Sequence, residues 1–147
     1  MGLRSLSTTD MKKICGIATK AVTIKAFMVG NLQYMASNGY KSYCISNKSD
    51  IMTKELLGDI EFIPVDMKWG NVSPVEVFKC VKAFYKIFKK EKFDIIQYST
   101  ANAGLYASIA GWLAGVPVRV FLQWGIAYPD HHGIKRWFYK MMEILNI

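Results

Sequence analysis

The sequence predicts an α/β domain, and three observations carry that prediction. Apolar runs of strand length alternate with helix-period segments from Lys12 to the end of the chain. The strand runs are apolar at successive positions, as in strands covered on both faces. The segments between them are long enough for right-handed crossover helices. The expected architecture is three-layered, a parallel sheet of order 3-2-1-4-5 between helices.

Lys12-Lys-Ile-Cys-Gly-Ile-Ala-Thr19 reads as the first strand. A loop over Thr19–Thr23 leads to a helix from about Ile24 to Asn38, with Phe27, Met28, Leu32 and Met35 at helical spacing. Gly39 stands where a helix ends in a left-handed residue. Lys41–Ser46 is the second strand. Asn47-Lys-Ser-Asp50 offers a turn and an N-cap for a short helix to Leu57, closed by Gly58. Ile60–Val65 is the third strand, and a longer connection follows that contains Trp69-Gly70-Asn71.

Ser73-Pro74-Val-Glu76 is a capping box with proline at the first helical position, so a helix is expected from there to about Lys92. Phe78, Val81, Tyr85 and Phe88 are its expected core stripe. Phe93–Ser99 is the fourth strand. Asn102–Gly115 is a helix whose small residues Gly104, Ala107, Ser108, Gly111 and Gly115 suit close packing on the sheet, with Tyr106 and Trp112 in core or rim packing. Pro117–Gln123 reads as a second buried strand of this βαβ unit, and Ile134–Leu145 as the last helix.

The chain has 147 residues, 52% of them hydrophobic, which suits one domain with a real core and argues against disorder. The apolar stretch from Ala101 to Leu122 is interrupted by Pro117 and Arg119, so no membrane span is expected. Residues 1–11 read as a flexible leader, with no apolar core of a signal peptide, Leu6 where myristoylation needs Ser or Thr, and Met11 as an alternative start; residues 12–147 read as the domain. Cys15, Cys44 and Cys80 are widely spaced, with Cys15 and Cys44 inside strands, as buried small hydrophobes of a reducing compartment are. The net charge is +8, with +3 before Ser73 and +5 after it. Such a surface suits nucleic acid or an anionic membrane and by itself selects neither.

Ligands of open parallel sheets bind beyond the carboxyl ends of the strands, at the point where strand order reverses. Here that point lies between the first and fourth strands, so the relevant loops are Thr19–Thr23, Thr100–Asn102 and Trp124–Asp130. The first strand ends Ala18-Thr-Lys-Ala-Val22, without the glycines of a dinucleotide fingerprint, and no P-loop is present. A flavodoxin-like or receiver-like binding domain is a third, disfavoured reading, because a receiver needs clustered acidic residues after the first strand and Ala18-Thr19-Lys20 supplies none. Asp130-His131-His132 is not expected to hold a metal: adjacent histidines point apart on a helix, and no nearby Cys or Glu has ligand spacing. Asp130 is the expected cap of the following helix. Either histidine has the chemistry of a general base, without a partner that the sequence positions.

Lys79, Lys82, Lys86, Lys89 and Lys90, with Lys92, make one helix basic. Phe84 and Ile87 are expected beside them, a combination suited to peripheral contact with an anionic membrane; the simpler reading is a solvated face.

Lys89-Lys-Glu-Lys-Phe-Asp-Ile-Ile96, Thr100 with Gly104, Leu113-Ala-Gly115, and Trp124-Gly125 followed by Gly133-Ile-Lys-Arg136 and Glu143 resemble, in this order and spacing, the N-terminal domain of glycosyltransferase family 4, especially enzymes of bacterial capsule, exopolysaccharide and O-antigen (lipopolysaccharide) synthesis. The resemblance covers nearly all of Lys12 to Ile144 and implies half of a GT-B fold, two Rossmann-like domains with a cleft between them. It also implies that this half binds a glycan or lipid-linked acceptor and that the nucleotide-sugar donor is held mainly by a second domain, with neither metal nor other cofactor. Where many members have His-Gly after the fifth strand this chain has Trp124-Gly125, and two histidines common at the end of the fourth strand fall on Gln97 and Ser99.

The expected acceptor-binding residues are Thr19, Lys20, Thr100, Asn102, Gln123, Trp124, Gly125 and Tyr128, making hydroxyl and phosphate contacts; no catalytic residue is assigned. The expected location is the cytoplasmic face of the cell membrane, with an anionic lipid surface and no nucleic acid as partner. The donor domain is expected outside this chain, which by itself should not transfer sugar. The alternative is a non-catalytic membrane-associated subunit that recruits a separate donor-binding partner.

Overall fold

A computed structural model of the chain describes residues 11–70, 72–124 and 128–146. The leader proposed for residues 1–11 lies outside the described residues except at Met11. Five parallel strands form one sheet: β1 Lys13–Ile17, β2 Lys41–Ser46, β3 Glu61–Pro64, β4 Ile95–Tyr98 and β5 Val118–Phe121. Their order is β3-β2-β1-β4-β5, as expected. The register pairs Cys15 with Tyr43 on one side and with Ile96 on the other, which places β1 at the centre.

Alternate residues of β1 serve opposite layers, as the two-residue period of a strand requires. Cys15 and Ile17 join the larger core, where Tyr43, Ile45, Ile96 and Tyr98 meet the helices α4 Pro74–Glu91 and α5 Ala101–Ala114. Ile14 and Ala18 join the smaller core, under a helix composed of α1 Ala21–Thr23, a π-helical turn Ile24–Met28 and α2 Val29–Ser37. A Cβ at Gly16 would stand 3.0 Å from Leu32 Cδ1, so glycine sets how closely this helix approaches. All three cysteines are free and buried.

Several expectations need correction. The first helix begins at Ala21, so the loop after β1 is shorter than Thr19–Thr23; nothing in Ala21-Val-Thr23 breaks a helix. The short helix α3 is Lys54–Leu57, and its cap is Thr53, whose hydroxyl accepts from the Leu56 N–H, not Asp50. Ser73 caps α4 as expected, accepting from the Glu76 N–H, with Pro74 in the first turn. The buried face of α4 is rotated from the predicted stripe: Cys80, Phe84 and Phe88 are buried, whereas Phe78 is 70% exposed and Tyr85 is also exposed. Phe84 packs against Phe88 and Tyr106 inside the core, so it does not lie beside the lysines. Phe78 and Val75 share the solvent side with them.

The small-residue helix α5 does press on the sheet. A Cβ at Gly111 would fall 2.7 Å from Ile96 Cδ1, so any larger residue would force the Ile96 side chain to shift. Trp112, however, is exposed. Strand β5 is not buried: it is the edge strand, and Val118 and Val120 are exposed. Helix α6 spans Gly133–Asn146 and anchors Met142 in the larger core, while Ile134, Trp137 and Phe138 face outward. Asp130 closes a 3-10 turn, Tyr128–Asp130, three residues before α6 rather than capping it. Among the described residues no helix is long and apolar enough to cross a membrane.

Candidate functional site

A cavity of about 330 Å³ opens at the carboxyl edge of the sheet, beside the ends of β1 and β4. Its lining brings together Thr19, Thr100, Asn102, Trp69, His131 and Tyr139. Thr19 and Thr100 are joined by their hydroxyls, 2.9 Å apart, and the Thr19 N–H also donates to Thr100 Oγ1. This pairing explains why Thr100, the residue before α5, does not use its side chain to cap that helix. The uncapped first turn of α5 presents backbone N–H groups and the positive end of the helix dipole to whatever occupies the cavity.

Thr100 has φ 68° and ψ 146°, a conformation that β-branched residues avoid. We expect Thr100→Gly to be more stable than Thr100→Val by about 1–2 kcal/mol, because both lose the hydroxyl and only glycine relieves the backbone. Thermal melts of the two variants would decide it, and equal stability would show that the backbone here is not strained.

Asn102 is nearly buried in the first turn of α5. Its Nδ2 donates to Lys68 O at 2.9 Å and to Gly70 O at 3.0 Å, holding the connection after β3 against the cavity. Asn47 grips the same connection at the residue before Lys68, through Met67 N–H to Oδ1 at 2.6 Å and Nδ2 to Met67 O at 2.8 Å. The Trp69 ring so positioned receives the Lys20 ammonium at 4.0 Å from its centroid. On another side His131 stacks on Tyr139, with centroids 4.6 Å apart and planes 13° apart. The site therefore offers hydroxyls, helix-terminal N–H groups, one ammonium and an imidazole, set among aromatic rings. That set suits a hydroxylated, anionic ligand.

Thr19, Lys20, Thr100 and Asn102 thus converge, although Asn102 belongs to a helix and not to a loop. Gln123 and Trp124 lie elsewhere on the same edge, and Trp124 packs on Phe27. Gly125 lies outside the described residues; Tyr128 begins the 3-10 turn, and its side chain is not described. Trp69, Gly70 and Tyr139 were not anticipated as lining residues. The signal for Trp69 was an aromatic beside glycine in the longest connection, and Tyr139 had none. The cysteine thiols are not candidates for nucleophiles: burial raises the pKa of Cys15 well above its ordinary value and pushes that of Cys44 up to about 12.

Comparison with known proteins bears on this arrangement. The profile of a family described as "Glycosyl transferase 4-like" matches residues 13–146. A relative from Escherichia coli, UDP-Gal:alpha-D-GlcNAc-diphosphoundecaprenol alpha-1,3-galactosyltransferase, is 35% identical over 102 residues, which cover 68% of this chain and 26% of that protein. A glycosyltransferase from Rickettsia africae superposes with TM-score 0.68 at 17% identity, over 90% of this chain and 35% of its own. A UDP-N-acetylglucosamine 2-epimerase superposes with TM-score 0.58 at 17% identity, over 92% of this chain and 38% of its own. This chain therefore spans about a quarter to two fifths of the length of these proteins. At such identities the structures speak for the fold alone, and one fold serves both transferase and epimerase.

Proposed function

This chain belongs to the glycosyl transferase 4-like family, and from that premise we propose that it is the acceptor-binding portion of a glycosyltransferase. The reaction would move a sugar from a nucleotide-sugar donor to a glycan or lipid-linked acceptor of a cell-surface polysaccharide. The observation that carries the proposal is the switch-point cavity, where Thr19, Thr100 and Asn102 line the space at an uncapped helix terminus and the Lys20 ammonium lies over the ring of the lining Trp69. A diphosphate linking sugar to lipid matches it: the oxygens meet backbone N–H groups and the Lys20 ammonium, and a sugar hydroxyl meets the threonine pair. The E. coli relative, whose name specifies a sugar-diphosphate lipid as acceptor, supports this class of ligand.

The chemical step needs a donor held opposite this edge with water excluded. This chain's residues would bind and orient the acceptor, and the donor would be held mainly by a second domain. The lysine face of α4 would keep this portion on the anionic inner face of the membrane, where a lipid-linked acceptor resides.

The test is calorimetric titration of the chain with N-acetylglucosaminyl diphosphate farnesol, a short-chain acceptor analogue. We expect saturable binding that Lys20→Glu weakens at least about tenfold, the value of one charge-assisted contact. Absence of binding, or equal binding by the variant, would refute the assignment.

A further inference from the structure

Phe27 and Trp124 form a second feature on the carboxyl edge. Their rings lie 4.7 Å apart between centroids, with planes inclined by 32°. They remain 61% and 46% exposed although each covers part of the other. Phe27 stands on the π-helical turn Ile24–Met28. Such a turn carries one more residue than an α turn and redirects the side chains on it, and it recurs at functional sites. Trp124 stands three residues past β5. A helical turn after β1 and the segment after β5 thus hold one aromatic surface at the edge where ligands of parallel sheets bind.

A pair of amides accompanies the rings. Asn31 follows Phe27 by one turn and shares its side of the helix. Asn31 Oδ1 accepts from Gln97 Nε2 at 3.1 Å, and Gln97 is the penultimate residue of β4. A primary amide has two donor hydrogens and two acceptor lone pairs, and the bond between Asn31 and Gln97 uses one position of each.

We propose that the Phe27–Trp124 pair is a stacking platform for a pyranose ring of the acceptor, with the exposed Asn31 amide, held by the buried Gln97 amide, reading the ring's hydroxyls. A pyranose has one face rich in C–H groups, which an aromatic ring covers favourably because its π face is negative and the C–H hydrogens are positive. Its rim of hydroxyls, each both donor and acceptor, matches planar amides. The inference rests on the acceptor reading above and deepens it. The threonine and lysine cavity takes the anionic linkage, and the aromatic pair takes a sugar.

The experiment is a titration of the ¹⁵N-labelled chain with methyl α-N-acetylglucosaminide and with methyl β-galactopyranoside, followed at the tryptophan indole N–H signals. The Trp124 signal is identified by its loss in Trp124→Phe. We expect a saturable shift of that signal, weakened about fivefold by Phe27→Ala, the scale of one lost stacking contact. Asn31→Ala and Gln97→Ala should weaken binding and alter the preference between the two sugars. Phe27 is exposed, so its variant should melt with the parent chain; a variant that melts early is replaced by Phe27→Leu, which keeps the bulk and loses the π face. Shifts confined to Trp69, or unchanged affinity in the Phe27 variants, would overturn the platform. No shift with either sugar, while the farnesol diphosphate analogue still binds, would overturn the platform and leave the acceptor reading intact; loss of both ligands would sink both.

Discussion

Vesicles containing anionic phospholipid are expected to retain the chain, and to release it when Lys82, Lys86 and Lys89 are all replaced by glutamate. The three residues lie on the exposed side of α4, with Lys79 and Lys90 on the same face. Each lysine near an anionic surface contributes about 1 kcal/mol, so losing three weakens binding by about 100-fold before repulsion of the new carboxylates is counted. Exposed Phe78 and Val75 supply apolar contact beside the charge. The substitutions touch no core residue, so stability should change by no more than about 0.5 kcal/mol each. Co-sedimentation with phosphatidylglycerol vesicles, against pure phosphatidylcholine and at raised salt, checks this. Unchanged binding of the triple variant would reduce the lysines to a solvated face.

Asn102→Asp is expected to destabilise the chain by about 3 kcal/mol at neutral pH, an uncompensated charge at a nearly buried site being the cause. The change keeps the shape of the side chain but removes both donated bonds, and turns a carboxylate toward Lys68 O and Gly70 O. Its place in the first turn of α5 returns about 0.5 kcal/mol through the helix dipole, too little to offset the loss. The sign of the pH dependence follows. A carboxyl disfavoured as the anion has a folded-state pKa above its unfolded value, so the penalty grows as pH rises from about 4 and fades on acidification. Urea unfolding at neutral and mildly acidic pH measures it. Asn102→Ala should lack the pH dependence, and a flat profile for Asn102→Asp would show that the side chain does not hold the connection.

Legibility differed between elements for physical reasons. The second strand was readable to the residue, because Lys41–Ser46 lies between a glycine that ends one helix and a turn. The start of α4 was equally plain, since Ser73 and Pro74 act through their own backbone. The phase of α4 was not. Phe78, Val81, Tyr85 and Phe88 satisfy helical spacing as well as Val77, Cys80, Phe84 and Phe88 do, and periodicity does not say which set meets a neighbour. Contact with Tyr106 of α5 decides for Phe84. Half of the candidate site was legible for a similar reason: Thr19, Lys20, Thr100 and Asn102 follow strand ends, and strand ends share one edge in any parallel sheet.

Alternation of strand and helix, the helix caps and the order of segments are local or nearly local properties, so the amino-acid sequence by itself determined the α/β class, the sheet order and the edge that carries the candidate site. Where a connection folds back, and which rings meet, are matters of three-dimensional packing. Asn47 and Asn102 bring Trp69 to the threonines from a distant part of the chain; His131 finds Tyr139; Phe27 finds Trp124 across the sheet edge. Only the tertiary structure decided these, because each depends on side chains far apart in the chain competing for the same space, and no spacing along the sequence records the outcome.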